Sequence, residues 1–208
     1  NCTPTIIFVS DDIQYKKRSW QQRNRIIEFS KNDYQWLTVP VKSKGKYHQK
    51  FKDVEIDLEN KNYNNISKII RFNYQSSPYF KDLFIDIEGI LEKKNKFLID
   101  LNVALIKKIC NFLKIEKEFV FSSSFNLSSK KSQLLFDLTK AVNGTVYLSA
   151  PGSAVFFEEY NPFLMSKIEL KYHEYFCKNY NQRTTDFLSY CSIIDMIFNI
   201  GNEAENLI

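Results

Sequence analysis

The segment S-D-D-I-Q-Y-K-K-R-S-W-Q-Q-R-N-R-I, Ser10 to Ile26, sets two adjacent carboxylates, Asp11 and Asp12, ahead of three arginines and a tryptophan. The chain holds only five arginines beside 24 lysines, so the grouping of Arg18, Arg23 and Arg25 is not a by-product of general basicity. A guanidinium is always charged and presents a rigid fork that meets a carboxylate or phosphate through two parallel hydrogen bonds. Arg23 and Arg25, with Asn24 between them as donor and acceptor, therefore suit a ligand's carboxylate or diphosphate. On an extended chain the two arginines share one face, whereas on a helix they splay apart and one alone reaches a ligand. Asp11 and Asp12 are the candidates for acid–base work or for holding Mg²⁺, the one cofactor these residues suggest. Neighbours on an extended segment point to opposite sides, so one of the pair faces the site while the other pairs with an arginine or caps a turn. Tyr15 and Trp20 either stack on a base or sugar face or form the rim of a core. The competing interpretation of the whole segment is a solvated basic loop.

The elements that must position these side chains follow from the apolar pattern. Thr5 to Ser10 (T-I-I-F-V-S) reads as a buried strand, Gln35 to Val39 as a second, and the alternating Val54 to Leu58 as a half-exposed third. The lysine-rich K-S-K-G-K stretch between the last two is a solvated hairpin or loop. Asn65 caps a helix bearing Ile66, Ile69, Ile70 and Phe72, Ser77-Pro78 starts the next, and a third spans about Phe97 to Leu113. Then come a strand at Glu118 to Ser122, a helix at Ser128 to Val142 stopped by Asn143-Gly144, and a strand at Thr145 to Ser149. That spacing fits a right-handed parallel crossover. Ile168 to Tyr172 is another candidate strand, and Cys191 to Asn199 a closing amphipathic helix. The expectation is a single α/β domain, residues 1–208, with a partly parallel sheet and flanking helices. In open parallel sheets ligands sit beyond the carboxyl ends of the strands. Three polar loops qualify: Asp11-Asp12, Ser122 to Ser124, and Ala150 to Ser153, where Ser149 and Gly152 offer hydroxyl and backbone N–H groups to phosphate or sugar oxygens.

Composition narrows the function classes. A net charge of +5 spread through the chain, without a clustered basic face, argues against a nucleic-acid partner and gives mild support to an anionic ligand. No apolar run approaches the ~20 residues of a membrane span, and no signal peptide is visible. Cys2, Cys110, Cys177 and Cys191 contain no C-x-x-C pair, which fits a reducing cytoplasm and small buried thiols. His48 and His173 lie far apart and without a Cys/His cluster, so no metal ligands are assigned. The G-x-S-x-G, P-loop and G-x-G-x-x-G patterns are absent.

Taken in order, V-S-D-D-I-Q-Y-K-K-R-S-W-Q-Q-R-N-R-I, W-L-T-V-P-V, N-Y-Q-S-S-P-Y-F, D-L-N at Asp100 to Asn102, V-Y-L-S-A-P-G and S-I-I-D-M-I-F-N-I-G make the chain resemble the WbqC-like family of bacterial O-antigen clusters. The resemblance covers nearly the whole chain. It implies a sugar-modifying transferase of surface-polysaccharide synthesis, with glycine or another amino acid joined to a sugar carboxylate as an amide. It carries Asp11, Asp12, Gln14, Tyr15, Trp20, Arg23, Asn24 and Arg25 as family-matching polar residues. It also implies a preceding segment of the type H-Q-P-x-Y-x-P-W-x-G, so the chain is expected to lack its native start. The implied partners are an anionic or activated sugar and an amino acid, with the oligomeric state left open. The rival expectation is a non-catalytic binding subunit of a polysaccharide-assembly complex.

Overall fold

The computed structural model describes residues 5–208; Cys2 lies outside them. In chain order the elements are β1 (Ile6–Val9), β2 (Arg23–Glu28), β3 (Asp33–Thr38), α1 (Lys61–Asn64), α2 (Ile66–Tyr74), α3 (Phe80–Glu92), α4 (Leu98–Phe112), β4 (Glu118–Phe121), α5 (Lys131–Ala141), β5 (Val146–Ser149), α6 (Ala154–Glu159), β6 (Glu169–Tyr172) and α7 (Ile193–Ile200). The class is α/β: small sheets, one of them parallel, flanked by helices. Contacts divide the chain into two compact units.

The first unit comprises Asp11–Glu118 and Cys177–Ile208. Its hairpin, β2 with β3, is antiparallel, and Asn32 takes a left-handed φ of 52° in the turn. Ile26 and Ile27 of β2 are fully buried, and the Ile27 N–H donates to the Tyr74 hydroxyl at 2.9 Å, a bond that fastens the hairpin to the end of α2. Helices α3 and α4 bury Leu83, Phe84, Ile87, Leu98 and Leu101 at helical spacing. Helix α7 is apolar nearly all round and is accordingly buried from Ile194 to Asn199. It closes the core through Phe198, whose ring meets Tyr74 and Phe80 at 5.2 Å each. The helix ends on Gly201, with φ 61°, where a Cβ would come within 2.7 Å of the Tyr79 ring. Only glycine satisfies both the backbone turn and that close approach.

The second unit comprises Ile6–Ser10 and Phe119–Phe176. Here β1 pairs with β4, and β5 runs parallel to β6 with Val146 opposite Glu169 and Ser149 opposite Tyr172. Its core is a ring cluster in which Phe163 contacts Phe136, Tyr147 and Phe157 at 5.2 to 5.7 Å.

Four expectations need correction. Val54 to Leu58 is not a strand. Its buried Val54 and Ile56 explain the alternation, but the segment divides its bonds between Lys96 and Leu98 on one side and Pro40 and Lys42 on the other, leaving isolated bridges. The strands β4 and β5 do not form a parallel crossover; β4 takes β1, and the parallel pair is β5 with β6, bridged by α6. Asn65 precedes α2 without a side-chain capping bond, and the helix after Ser77-Pro78 begins at Phe80.

Candidate functional site

Register decides which of the arginine-segment side chains share a face. Arg23 lies opposite Thr38, Arg25 opposite Trp36 and Ile27 opposite Tyr34, so Arg23, Arg25, Tyr34 and Trp36 project from one side of the hairpin. The extended alternative for this segment is therefore the one realised. The guanidinium of Arg23 sits 4.0 Å from the centre of the Trp36 ring, and that of Arg25 sits 4.5 Å from Tyr34 and 5.8 Å from Trp20. Trp20 and Trp36 close the layer at 5.2 Å, tilted by 51°. Each guanidinium–ring contact contributes roughly 0.5–1 kcal/mol at an exposed position. Stacking uses the flat face of the fork and leaves its in-plane N–H groups for an acceptor. Trp20 and Trp36 remain 64% and 43% exposed, an apolar surface beside two cations.

Trp20 is held over the hairpin by a tight loop. Gln22 is buried; its Oε1 accepts from the Tyr15 hydroxyl and from the Arg18 N–H, and its Nε2 donates to the Val39 carbonyl at 2.8 Å. Gln21 accepts from the Lys16 N–H at 3.1 Å, and Asn102 of α4 donates to the Gln21 carbonyl at 2.8 Å. Arg18 takes φ 58° to make the turn. These glutamines and Asn102 position the loop; sequence reasoning assigned them no role.

Arg25 is also tied into the fold. Its Nη2 donates to the Tyr190 carbonyl at 3.0 Å, its own carbonyl accepts from Ser192 N–H at 2.7 Å, and the neighbouring Tyr34 hydroxyl donates to Ser189. Its Nε is buried with no hydrogen-bond partner. An orphaned buried donor costs about 1–3 kcal/mol until an acceptor meets it.

The remaining sequence candidates are distributed differently. Asp11 is buried and its carbonyl accepts from Lys52 N–H at 2.7 Å; Asp12 is half-buried. The segment from Asp11 to Tyr15 is zipped against Gln49–Lys52, through Phe51 N–H to Ile13 and Tyr15 N–H to Gln49, instead of forming a free loop. Gln14 is exposed and donates to the Tyr47 carbonyl. Tyr15 is buried, which pushes its phenol up to about 12. Asn24 is exposed on the face of β2 opposite the arginines, its Oδ1 accepting from the Arg25 N–H. Ser149 and Gly152 belong to the second unit: the Ser149 hydroxyl is buried against that of Ser153, and Gly152 lies exposed in the following turn. Trp20, Arg23 and Arg25 are thus brought together. Tyr34 and Trp36, part of the same layer, were not singled out as site residues; their alternation with Gln35 on a strand facing the arginines was the available signal.

The first unit also holds a polar cluster centred on Asp195, which is fully buried on α7. Its carboxylate accepts from the Tyr180 hydroxyl and from Gln182 Nε2 at 2.9 Å, and Tyr74 and Asn199 also reach it. Burial raises its pKa, and the four donors oppose the rise. Cys191 nearby is pushed up to about 12, first by burial and then by the Asp195 charge. Among the described residues no group of three or more His, Cys, Asp or Glu is placed to hold a metal ion. No helix among the described residues is long and apolar enough to cross a membrane.

A family model described as the WbqC-like protein family matches residues 5–207. The chain belongs to the WbqC-like family. A protein of Mycobacterium tuberculosis named "Uncharacterized protein Rv1507c" is 32% identical over 198 residues, 94% of this chain and 84% of that one. No solved structure matches the chain. The segments that carried the family resemblance supply Trp20, Arg23, Arg25, Trp36, Asn102, Asp195 and Gly201, which here belong to the layered face, its loop, helix α7 and the glycine that ends it.

Proposed function

We propose that this WbqC-like protein is a cytoplasmic transferase that modifies an activated or lipid-linked sugar of a bacterial surface polysaccharide, joining an amino acid to a sugar carboxylate as an amide. The observation that supports this most is the layer of Tyr34, Arg25, Trp20, Trp36 and Arg23. The indoles offer flat apolar faces to the C–H side of a sugar ring, and the stacked forks offer paired donors to its carboxylate. Arg23 is the freer cation for this purpose, because Arg25 commits one nitrogen to Tyr190. Amide formation expels the elements of water, so a nucleoside triphosphate is needed to convert the bound carboxylate into an acyl phosphate, from which phosphate leaves as the amine nitrogen attacks the carbonyl carbon. Asp11 or Asp12 serves as proton acceptor for the attacking amine, or would hold Mg²⁺, which would supply positive charge to neutralise a phosphorylated substrate. Gln14 and Asn24 are proposed as polar contacts at the rim of this face; within the second unit, taken by itself, Ser149 and Gly152 are proposed to contact sugar or phosphate oxygens.

Calorimetric titration with a uronic acid and with its neutral parent sugar tests this reading. The uronic acid is expected to bind and the neutral sugar to bind at least tenfold more weakly, with Arg23→Ala erasing the difference. Equal affinities in the unchanged protein would remove the guanidinium forks from recognition.

A second reading, a non-catalytic subunit of a polysaccharide-assembly complex, draws on Leu164, Met165 and Phe176 of the second unit, which are 78%, 97% and 77% exposed. Thermal denaturation across nucleotide sugars, amino acids, ATP and Mg²⁺ separates the two, because a ligand that prefers the native state raises the melting point. A panel without any response would favour the subunit.

A further inference from the structure

The lysine-rich stretch after β3 is more than a solvated loop. It borders a cleft of about 710 Å³ in the first unit, into which Lys17, Lys42, Lys44 and Lys46 contribute against a single lining carboxylate, Asp57. Lys42 has one loose ion pair, 3.8 Å from Glu55, and its side chain is more than half exposed. The other walls are Tyr15 and Tyr47, the first buried and fixed by its bond to Gln22, the second 81% exposed. The loop has a defined shape: Lys46 N–H bonds the Ser43 carbonyl at 3.2 Å across a turn in which Gly45 takes φ 75°, and Gln14 Nε2 holds the Tyr47 carbonyl at 3.2 Å.

We propose that this cleft binds a diphosphate. Four ammonium groups around one concavity raise the local concentration of a multiply charged anion, and clefts with low-dielectric walls focus that field. Lysine is a compact point charge suited to phosphate oxygens, whereas the arginine forks on the hairpin suit a planar carboxylate. An exposed tyrosine at the mouth gives a ring for a base to stack on. The inference deepens the proposed transferase reading by assigning the diphosphate of an activated sugar to a second place. The same short loop serves both: Lys17 lines the cleft, Trp20 caps the layered face, and three residues of chain hold their Cα atoms within about 11 Å. A sugar on the indoles and its diphosphate among the lysines is the arrangement this implies.

Titration of the protein with inorganic pyrophosphate, UDP and farnesyl diphosphate at low and at physiological ionic strength tests the assignment. Pyrophosphate is expected to bind, to weaken steeply with salt, and to lose at least tenfold in affinity in the Lys44→Glu/Lys46→Glu double variant, whose altered side chains are exposed and whose melting point should hold. UDP binding tighter than pyrophosphate, with the gain lost in Tyr47→Ala, identifies a nucleotide carrier; tighter farnesyl diphosphate identifies a lipid carrier. Failure of pyrophosphate to bind at low salt, or binding undiminished in the double variant, overturns the proposal. The Arg23→Ala variant should still bind pyrophosphate, so failure of the lysine cleft and failure of the uronic-acid face are separately visible.

Discussion

The two compact units bury their apolar side chains very differently. In the first, Ile26, Ile27, Tyr74, Leu83, Leu98, Leu101, Ile197 and Phe198 are all but inaccessible, and even the polar Asp195 is enclosed with its donors. In the second, Leu138 is all but inaccessible and Phe157 and Phe163 are buried, while Leu148, Val155, Phe156, Leu164 and Met165 lie open. A rigid core is what a recognition face requires, since stacked forks and indoles act as a preorganised surface only if the strands beneath them do not shift. The contrast is why the proposed recognition face is sought on the first unit.

Core truncation should expose that contrast most sharply. Phe198→Ala is expected to cost about 3–5 kcal/mol, because the Phe198 ring is fully buried between Tyr74 and Phe80. Met165→Ser should change stability by less than about 0.5 kcal/mol in the same urea titrations. A comparable loss from both would abolish the distinction.

Gly201→Ala comes next. The added methyl must displace the Tyr79 ring and the backbone must hold φ 61°, a combined cost of about 1–3 kcal/mol. An unchanged melting temperature would show that α7 does not seat against the start of α3 as described.

A smaller effect concerns pH. Because burial raises the Asp195 pKa in the folded state above its ordinary carboxylate value, folding binds this proton more tightly than the unfolded chain does. Its contribution is therefore fully present below the usual carboxylate range near pH ~4 and is lost as pH rises through the raised value. Asp195→Asn, with Asn199 turned so that its unpartnered Oδ1 accepts from the new amide, should remove that loss. Melting curves of the two proteins should diverge in favour of the variant as pH increases; parallel curves would mean the carboxylate stays at its ordinary value. Smallest of all, the Cys191 thiol, pushed up to about 12, should resist alkylation at pH 8 until the chain unfolds.

Much of this architecture is legible in local pattern. The β-branched and aromatic runs of β1, β3 and β5 and the stripes of α3, α4 and α7 declare themselves, although β1, expected to be buried, is half-buried along its length. The strand β2 is harder: R-N-R-I-I-E reads as a charged segment until Trp36 and Tyr34 are known to lie under its guanidinium groups. Val54 to Leu58 misleads in the other direction, since its alternation reports true burial of Val54 and Ile56 but says nothing about a continuous partner strand. The Asp195 cluster joins Tyr74, Tyr180 and Gln182 across more than a hundred residues, and no local spacing encodes such a meeting. For the candidate site, the clustering of Arg23 and Arg25 singled out the strand that carries the layered face, whereas the tight loop that aims Trp20 depends on Gln22 and Asn102, residues with no chemical signature of their own.

The chain contains two tryptophans, and both stand in the layered face, so intrinsic tryptophan fluorescence reports on that face alone. Titration with a uronic acid should produce a saturable change in indole emission that Arg23→Ala abolishes. Emission that stays constant to saturating sugar, in a protein shown by its melting curve to be folded, would contradict recognition at the arginine–indole layer.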